Sequence, residues 1–377
     1  MIYREAGQFK TSYAEDQRIF PIRQDRIGMA LLLFFAFVLV PFSADIGALL
    51  PGALGAPFNA IGAVFSSQYT LQAIPIPTLI FSLAAIGLNI LTGYAGQLSL
   101  GSAAFMAVGA FAAYNFMLRV PGMPILAAFV LAGLTAAAVG IIFGLPSLRI
   151  KGFYLTVATL AAQFFIVWAL TKFDWFSNYS SSGVISAQKV VILGYVFDSP
   201  AANYLLTLAV VCVLALAAKN MVRSSIGRSW MAVRDMDVAA EVIGIRLMHT
   251  KLLAFAVSSF YCGVAGALYA YTYLGTVEPE GFSLDLSFRI LFMIIIGGVG
   301  SILGSFLGAA FIVLLPIFLD NTLPALFGDS ISATWTSNLQ LIVFGGLIIF
   351  FLIVEPHGLA RLWQILKEKL RLWPFPH

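Results

Sequence analysis

The sequence predicts an all-α, polytopic transmembrane helical bundle of about ten spans, with glycine-broken helices and one short helix projecting from the membrane. Three observations predict it. First, hydrophobic residues make up 60% of the 377 positions and charged residues only 10%, against about 25% charged in soluble domains. One soluble core could not hide that much apolar surface, so lipid is the solvent that fits. Second, the apolar runs are continuous, as at 29–41 and 205–218, whereas barrel strands alternate apolar and polar residues over about ten positions. Backbone polar groups in lipid must bond within the protein, so continuous runs are helices. Third, the basic residues sit between the runs. A net charge of +4 spread in that way gives no sign of a nucleic-acid partner.

The polar lead, 1–26, is too long and too mixed in charge for a secretory signal, so 27–43 is taken as a retained span. A crossing needs roughly 20 apolar residues. Runs that meet or approach this length are 74–92, 98–118, 123–145, 152–171, 203–218, 252–274, 288–319 and 339–354. The transmembrane domain is therefore 27–354, broken by a polar loop at 219–251, with a basic tail at 355–377. Cys212 and Cys262 fall inside apolar runs and are read as packing residues.

Lys/Arg placement orients the spans. Arg4, Lys10, Arg18, Arg23 and Arg26 precede the first. Arg149 and Lys151 lie between two spans, and Lys219, Arg223, Arg228, Arg234, Arg246 and Lys251 fill the polar loop. Arg361, Lys367, Lys369 and Arg371 occupy the tail. All should be cytoplasmic, which places Asp45, Asp198, Glu278, Glu280, Asp320 and Asp329 outside. Parity then requires 288–319 to cross twice. As one helix it would be about 48 Å long, too long for a single ordinary span. A break at Gly297-Gly298-Val299-Gly300 resolves the conflict and leaves both termini cytoplasmic.

That break loosely matches Gly93-Tyr94-Ala95-Gly96-Gln97-Leu98-Ser99. Glycine-interrupted helices at corresponding positions in two halves point to a midplane substrate site in transporters, while glycine also serves plain helix packing. On the first reading Asn89, Gly93, Gly96, Gln97, Ser99, Gly297, Gly298 and Gly300 border the substrate pathway. Ser102 and Asn115 add polar groups beside the same spans. No span carries a charged residue or histidine near its middle, as ion-coupled pumps usually need. There is no Gly-x-x-x-x-Gly-Lys loop to hold ATP, no metal cluster among His249, His357 and His377, and no catalytic triad.

Within the polar loop, Gly227 reads as a turn before a short helix, Asp237 as its N-cap, and Ala239, Ala240 and Glu241 as helix formers. Gly244 reads as the left-handed residue that ends it. Such a helix suits docking into a groove on a soluble partner or lying on lipid headgroups.

Three blocks carry a family resemblance. They are Gly87 to Gly101 with Ala104-Phe105, Gly227-Arg228 to Arg234 with Ala239-Ala240-Glu241 and Gly244-Ile245, and Gly263 to Tyr269 with Pro279, Ser283 and Gly297 to Gly304. Together they make the chain resemble the LivM-type permease subunit of ABC importers for branched-chain amino acids. The resemblance implies a bacterial inner-membrane subunit that translocates substrate by ATP-driven alternating access. It pairs with a LivH-type permease, two ABC ATPase subunits that bind ATP and Mg²⁺, and a periplasmic substrate-binding protein. No cofactor is expected in this chain, and ATP hydrolysis is expected elsewhere. The family's coupling helix maps onto Asp237–Gly244 and its Gly227–Arg234 lead, so Gly227, Arg228, Arg234, Asp237, Ala239, Ala240, Glu241 and Gly244 become the ATPase-coupling residues. The same superfamily includes urea and short-chain amide permeases. An ATP-independent secondary transporter or channel is a further alternative on residues alone.

Overall fold

In lipid, an apolar run long enough to satisfy its own backbone becomes a helix. The predicted runs do so over most of their described length, though 98–101 and 123–124 are not helical. The computed structural model describes residues 12, 23–42, 68–147, 154–180, 184–188, 190–192, 195–197, 199–327, 333–354 and 357–372. Most of the 1–26 segment, Arg149, Lys151, Asp45, Asp198, Asp329 and His377 lie outside the described residues.

The helices in chain order are α1 (Arg23–Phe34), α2 (Gln68–Ala73), α3 (Pro75–Asn89), α4 (Ser102–Arg119), α5 (Ile125–Ser147) and α6 (Tyr154–Lys172), then α7 (Pro200–Arg223), α8 (Ser225–Asp235), α9 (Asp237–Val242) and α10 (Leu247–Leu268). The last four are α11 (Leu284–Gly297), α12 (Ile302–Phe327), α13 (Ala333–Val354) and α14 (Gly358–Leu372). π-helical turns extend α1, α3 and α10 over Phe35–Leu39, Ile90–Tyr94 and Tyr269–Leu274. The only strands among the described residues are two-residue pieces. Ile185–Ser186 pairs antiparallel with Thr276–Val277, and Val191–Ile192 with Tyr195–Val196.

Among the described residues, seven helices are long and apolar enough to cross a bilayer: Asp25–Phe42, Thr70–Tyr94, Ile125–Leu145, Leu155–Lys172, Pro200–Arg223, Leu247–Leu274 and Ile302–Asp320. The expected count of about ten is therefore not reached on length and composition. The break at Gly297–Gly300 is present, but its two sides are unequal. The 14 residues of α11 span only about 21 Å, short of a hydrocarbon core of about 30 Å. Helix α13 carries the apolar run 339–354, somewhat under the roughly 20 residues of a crossing.

The centre is built on α3 and α10. Over an 18-residue apolar stretch, 72% of the residues are buried in Thr70–Tyr94 and 67% in Leu247–Leu274, against 11% in Asp25–Phe42. Helix α10 packs on α5, α4 and α3, and α3 also packs on α12 and α7. Lipid supplies no hydrophobic drive between helices, so close backbone approach must hold them together. Small residues permit it. A β-carbon at Gly266 would run into the Met106 carbonyl of α4, one at Gly109 into the Gly263 carbonyl, and one at Gly87 would sit 2.7 Å from Tyr261 Cβ. A buried Phe105–Phe255 edge-to-face pair, with centroids 5.6 Å apart, adds to the α4–α10 seam.

Gly266→Ala should therefore lower stability by about 1–3 kcal/mol, the usual cost of overpacking. Gly346→Ala, where nothing lies within 4 Å, should be close to neutral. Thermal unfolding of the detergent-solubilised variants checks this, and equal stability of the two would contradict the packing account.

Candidate functional site

The polar loop is built from its helix boundaries. Helix α7 stops at Arg223 because Ser224 turns extended and caps the start of α8. Its Oγ accepts from Ile226 N at 3.2 Å and donates to the Met221 carbonyl at 2.7 Å. Gly227 is not the turn ahead of the helix that the sequence suggested. It lies inside α8 and lets α8 fold tightly back on α7, since a β-carbon there would strike the Val222 carbonyl. Trp230 is fully buried and its Nε1–H donates to the Thr250 carbonyl at 3.1 Å, which fastens α8 to the start of α10.

Met236, at φ −159° and ψ 98°, breaks α8 from α9. Met236 therefore holds the N-cap position expected for Asp237, which falls in the first turn. There the Asp237 carboxylate accepts from Val238 N at 2.9 Å and lies 4.0 Å from Lys251 Nζ. An anion in a first turn is favoured by the helix dipole. Gly244 ends α9 as expected, at φ +89°. Gly244 N donates to the Glu241 carbonyl and Ile245 N to the Ala240 carbonyl, each at 3.0 Å. These are the paired bonds of a Schellman ending. Ala240 is buried, whereas Arg228, Ala239 and Glu241 are exposed. Met236, Val238, Val242 and Ile243 are 65–82% exposed, an apolar patch on a projecting helix.

Beneath α8 the two glycine-rich stretches meet. Asn89, in the last turn of α3, donates through Nδ2 to the Ser301 carbonyl and to Ser305 Oγ, both at 2.9 Å. Its Oδ1 accepts from Gly300 N at 2.7 Å. Gly298 and Gly300 take φ of +121° and +81°, conformations that side chains with a β-carbon disfavour. A β-carbon at Gly93 would collide with Asn89 Oδ1 and Gly300 N, and one at Gly297 with the Gly304 carbonyl.

Arg234 completes this node from the polar loop. Its Nη1 donates to the Gly93 carbonyl at 2.8 Å, while Nε and Nη2 each lie 2.8 Å from Asp235 Oδ1. The guanidinium thus serves the carbonyl-rich, negative end of α3. Gly96, at φ +69°, leaves room for it, since a β-carbon there would come within 2.8 Å of Arg234 Cγ. Gln97 and Ser99 are buried beside the node. Gln97 Nε2 donates to the Lys251 carbonyl at 3.3 Å and its Oε1 has no partner, while Ser99 Oγ accepts from Gly101 N at 3.3 Å. Asn89, Gly93, Gly96, Gly300 and Arg234 thus meet in one node, whereas Arg228, Ala239, Glu241 and Gly244 sit exposed on the α8–α9 unit.

A second polar cluster escaped the sequence reading. The N-terminus of α4 is buried, and side chains from α6 and α11 satisfy its free N–H groups. Leu100 N donates to Thr159 Oγ1 at 3.0 Å, Ala103 N to Ser287 Oγ at 2.9 Å and Ala104 N to Gln163 Oε1 at 2.7 Å. Gln163 Nε2 then donates to the Phe282 carbonyl at 2.9 Å. A glutamine in the apolar run 152–171 was the available signal. At the opposite end of α7 and α10 from the node, Gln72, Gln188, Asn203, Tyr271 and Thr272 help to line a cavity of about 210 Å³. Among the described residues no three His, Cys, Asp or Glu side chains group to hold a metal.

Asn89→Leu strips the Gly300 N–H of its partner and removes a second donor from the Ser301 carbonyl, which keeps its bond from Ser305 N. A partly buried N–H so orphaned costs about 1 kcal/mol or more. The variant should unfold at lower temperature than wild type, whereas Asn115→Leu, whose Oδ1 already lacks a partner, should cost less. Thermal denaturation of both checks the ranking.

Residues 71–352 match the family described as branched-chain amino acid transport system / permease component. The high-affinity branched-chain amino acid transport system permease protein LivM of Escherichia coli K12 is 29% identical over 307 residues, 75% of this chain and 68% of that protein. The protein of the same name from Salmonella typhimurium LT2 is 27% identical over the same shares. A probable LivM of Methanocaldococcus jannaschii is 23% identical over 239 residues, 62% of this chain and 67% of that one. No solved structure matches. With a central α3–α10 pair, a glycine node and an apolar multi-helix frame all inside the matched region, the chain belongs to the branched-chain amino acid transport permease family.

Proposed function

We propose that this chain is one of two permease subunits of a bacterial inner-membrane ABC importer and carries branched-chain amino acids inward by alternating access. The observation that carries this reading is the bond from Arg234 to the Gly93 carbonyl. It makes the projecting α8–α9 unit mechanically continuous with the core helix α3 and, through Asn89, with the Gly298–Gly300 turn. A push on α9 from an ATPase would then move helix ends across the bundle instead of bending a loose loop. The exposed Met236, Val238, Val242 and Ile243 patch suits a groove on that ATPase. The other partners are a LivH-type permease and a periplasmic binding protein.

In this reading the node closes the cytoplasmic end of the pathway, and Asn89, Gln97 and the surrounding glycines border it when it opens. About ten crossings with both termini cytoplasmic result if α4, α11 and α13 also cross, with α11 tilted or in locally thinned lipid.

Val242→Asp together with Ile243→Asp tests the coupling role at residues that carry no core. The double variant should leave membrane levels unchanged, yet the ATPase should no longer co-purify and leucine uptake should fall to background. Normal uptake would sink the coupling role. Competition of labelled leucine uptake by valine, isoleucine and urea checks the substrate class, and urea as the sole effective competitor would reassign it.

A further inference from the structure

Helix α14 sits the wrong way round for a helix that packs on its own chain. Its sequence, Gly358–Leu372, is amphipathic. The side that touches the protein carries Ala360, which is buried, and Lys367, whose Nζ pairs with Asp25 Oδ1 of α1 at 2.6 Å. Leu359, at the start of the helix, packs partly against the core, and beyond it the apolar stripe is exposed. Leu362, Trp363, Ile365 and Leu366 are 37–48% exposed. The helix carries Arg361, Lys367, Lys369 and Arg371 against the single acid Glu368, and both Arg361 and Lys369 are exposed.

Its place in the fold is set by backbone contact. Gly358 takes φ +68°, and a β-carbon there would lie 2.6 Å from Gly298 N and from the Ile296 carbonyl. A β-carbon at Gly298 would lie 2.6 Å from the His357 carbonyl. Helix α14 therefore starts on the Gly298 turn, just after α13 ends at Val354. It lies at the same end of the bundle as Arg234 and the α8–α9 unit.

We infer that α14 is an anionic-lipid docking helix, lying in the headgroup layer with its Leu362–Trp363–Ile365–Leu366 stripe in the acyl boundary. A strong amphipathic pattern, an excess of basic residues and an outward tryptophan are what an interfacial helix requires. A basic segment at a membrane surface is drawn to negatively charged phospholipid. The inference does not depend on which solute the protein carries.

The intact chain in lipid nanodiscs, with Cys212 replaced by alanine and Cys262 left buried, provides the test. Spin labels at Leu362→Cys and Leu366→Cys, with Gln364→Cys as the polar-side control, report collision with lipid-soluble oxygen and with a water-soluble nickel chelate. In phosphatidylcholine with about 30% phosphatidylglycerol, oxygen should dominate at 362 and 366 and nickel at 364. The contrast should shrink several-fold in pure phosphatidylcholine, and Arg361→Gln with Lys369→Gln should abolish that lipid dependence. Nickel dominance at all three positions would overturn the proposal. So would protection from both reagents at 362 and 366, which would indicate a protein covering, or a contrast equal in the two lipids.

Discussion

The structure depends on keeping backbone polar groups paired where no water can serve them. Breaking a helix at Gly297–Gly300 leaves N–H and carbonyl groups without their helical partners. Asn89 is the acceptor for Gly300 N and also donates to the Ser301 carbonyl, which keeps its helical bond from Ser305 N. A side-chain amide can do so from a single position because it carries an acceptor oxygen and two N–H donors without a charge. Once it is in place, α3 cannot slide or rotate against α12 without orphaning the Gly300 N–H, so the register of the two helices is set by hydrogen bonding as well as by shape.

The same constraint explains where Arg234 goes. The π-helical turn Ile90–Tyr94 prolongs α3, and its Gly93 carbonyl meets Arg234 of the polar loop. A cation at a helix C-terminus is favoured by the dipole, and arginine also donates bonds in a fixed fork. Its attachment to Gly93 joins a polar segment to the buried frame through one side chain. Such a joint is more rigid than apolar contact, which has no direction. Gly93 and Gly96 are needed there for space, so their role is steric as much as conformational.

At the other buried helix end, the fold uses the same solution with different residues. The N–H groups at the start of α4 are met by Thr159, Gln163 and Ser287, drawn from two other helices. Two buried helix ends are thus each served by side chains distant in sequence. The bundle is therefore held by a few directional bonds at its interruptions, with glycine-mediated close approach along α10 filling the intervals.

The sequence by itself determined the solvent, the helical class and the positions of the long apolar helices, because apolar run length and backbone self-sufficiency in lipid leave little other choice, whereas α2 and α14 were not marked as helices. It also located the α9 ending at Gly244, since a left-handed residue after a short helix is a local requirement. The Asn89, glycine and Arg234 positions were legible as unusual residues, but not as one cluster. Which polar group meets which helix end is decided by packing between segments far apart in the chain, and no local pattern encodes it. Tertiary structure alone decided that Gly227 is a packing residue inside α8, that Asp237 comes after the cap instead of forming it, and that α11 is too short for an ordinary crossing. It also decided that α14 turns its apolar stripe outward. The amphipathic pattern is written in the sequence, but only the seat on Gly298 and the Lys367–Asp25 pair determine which way the stripe faces.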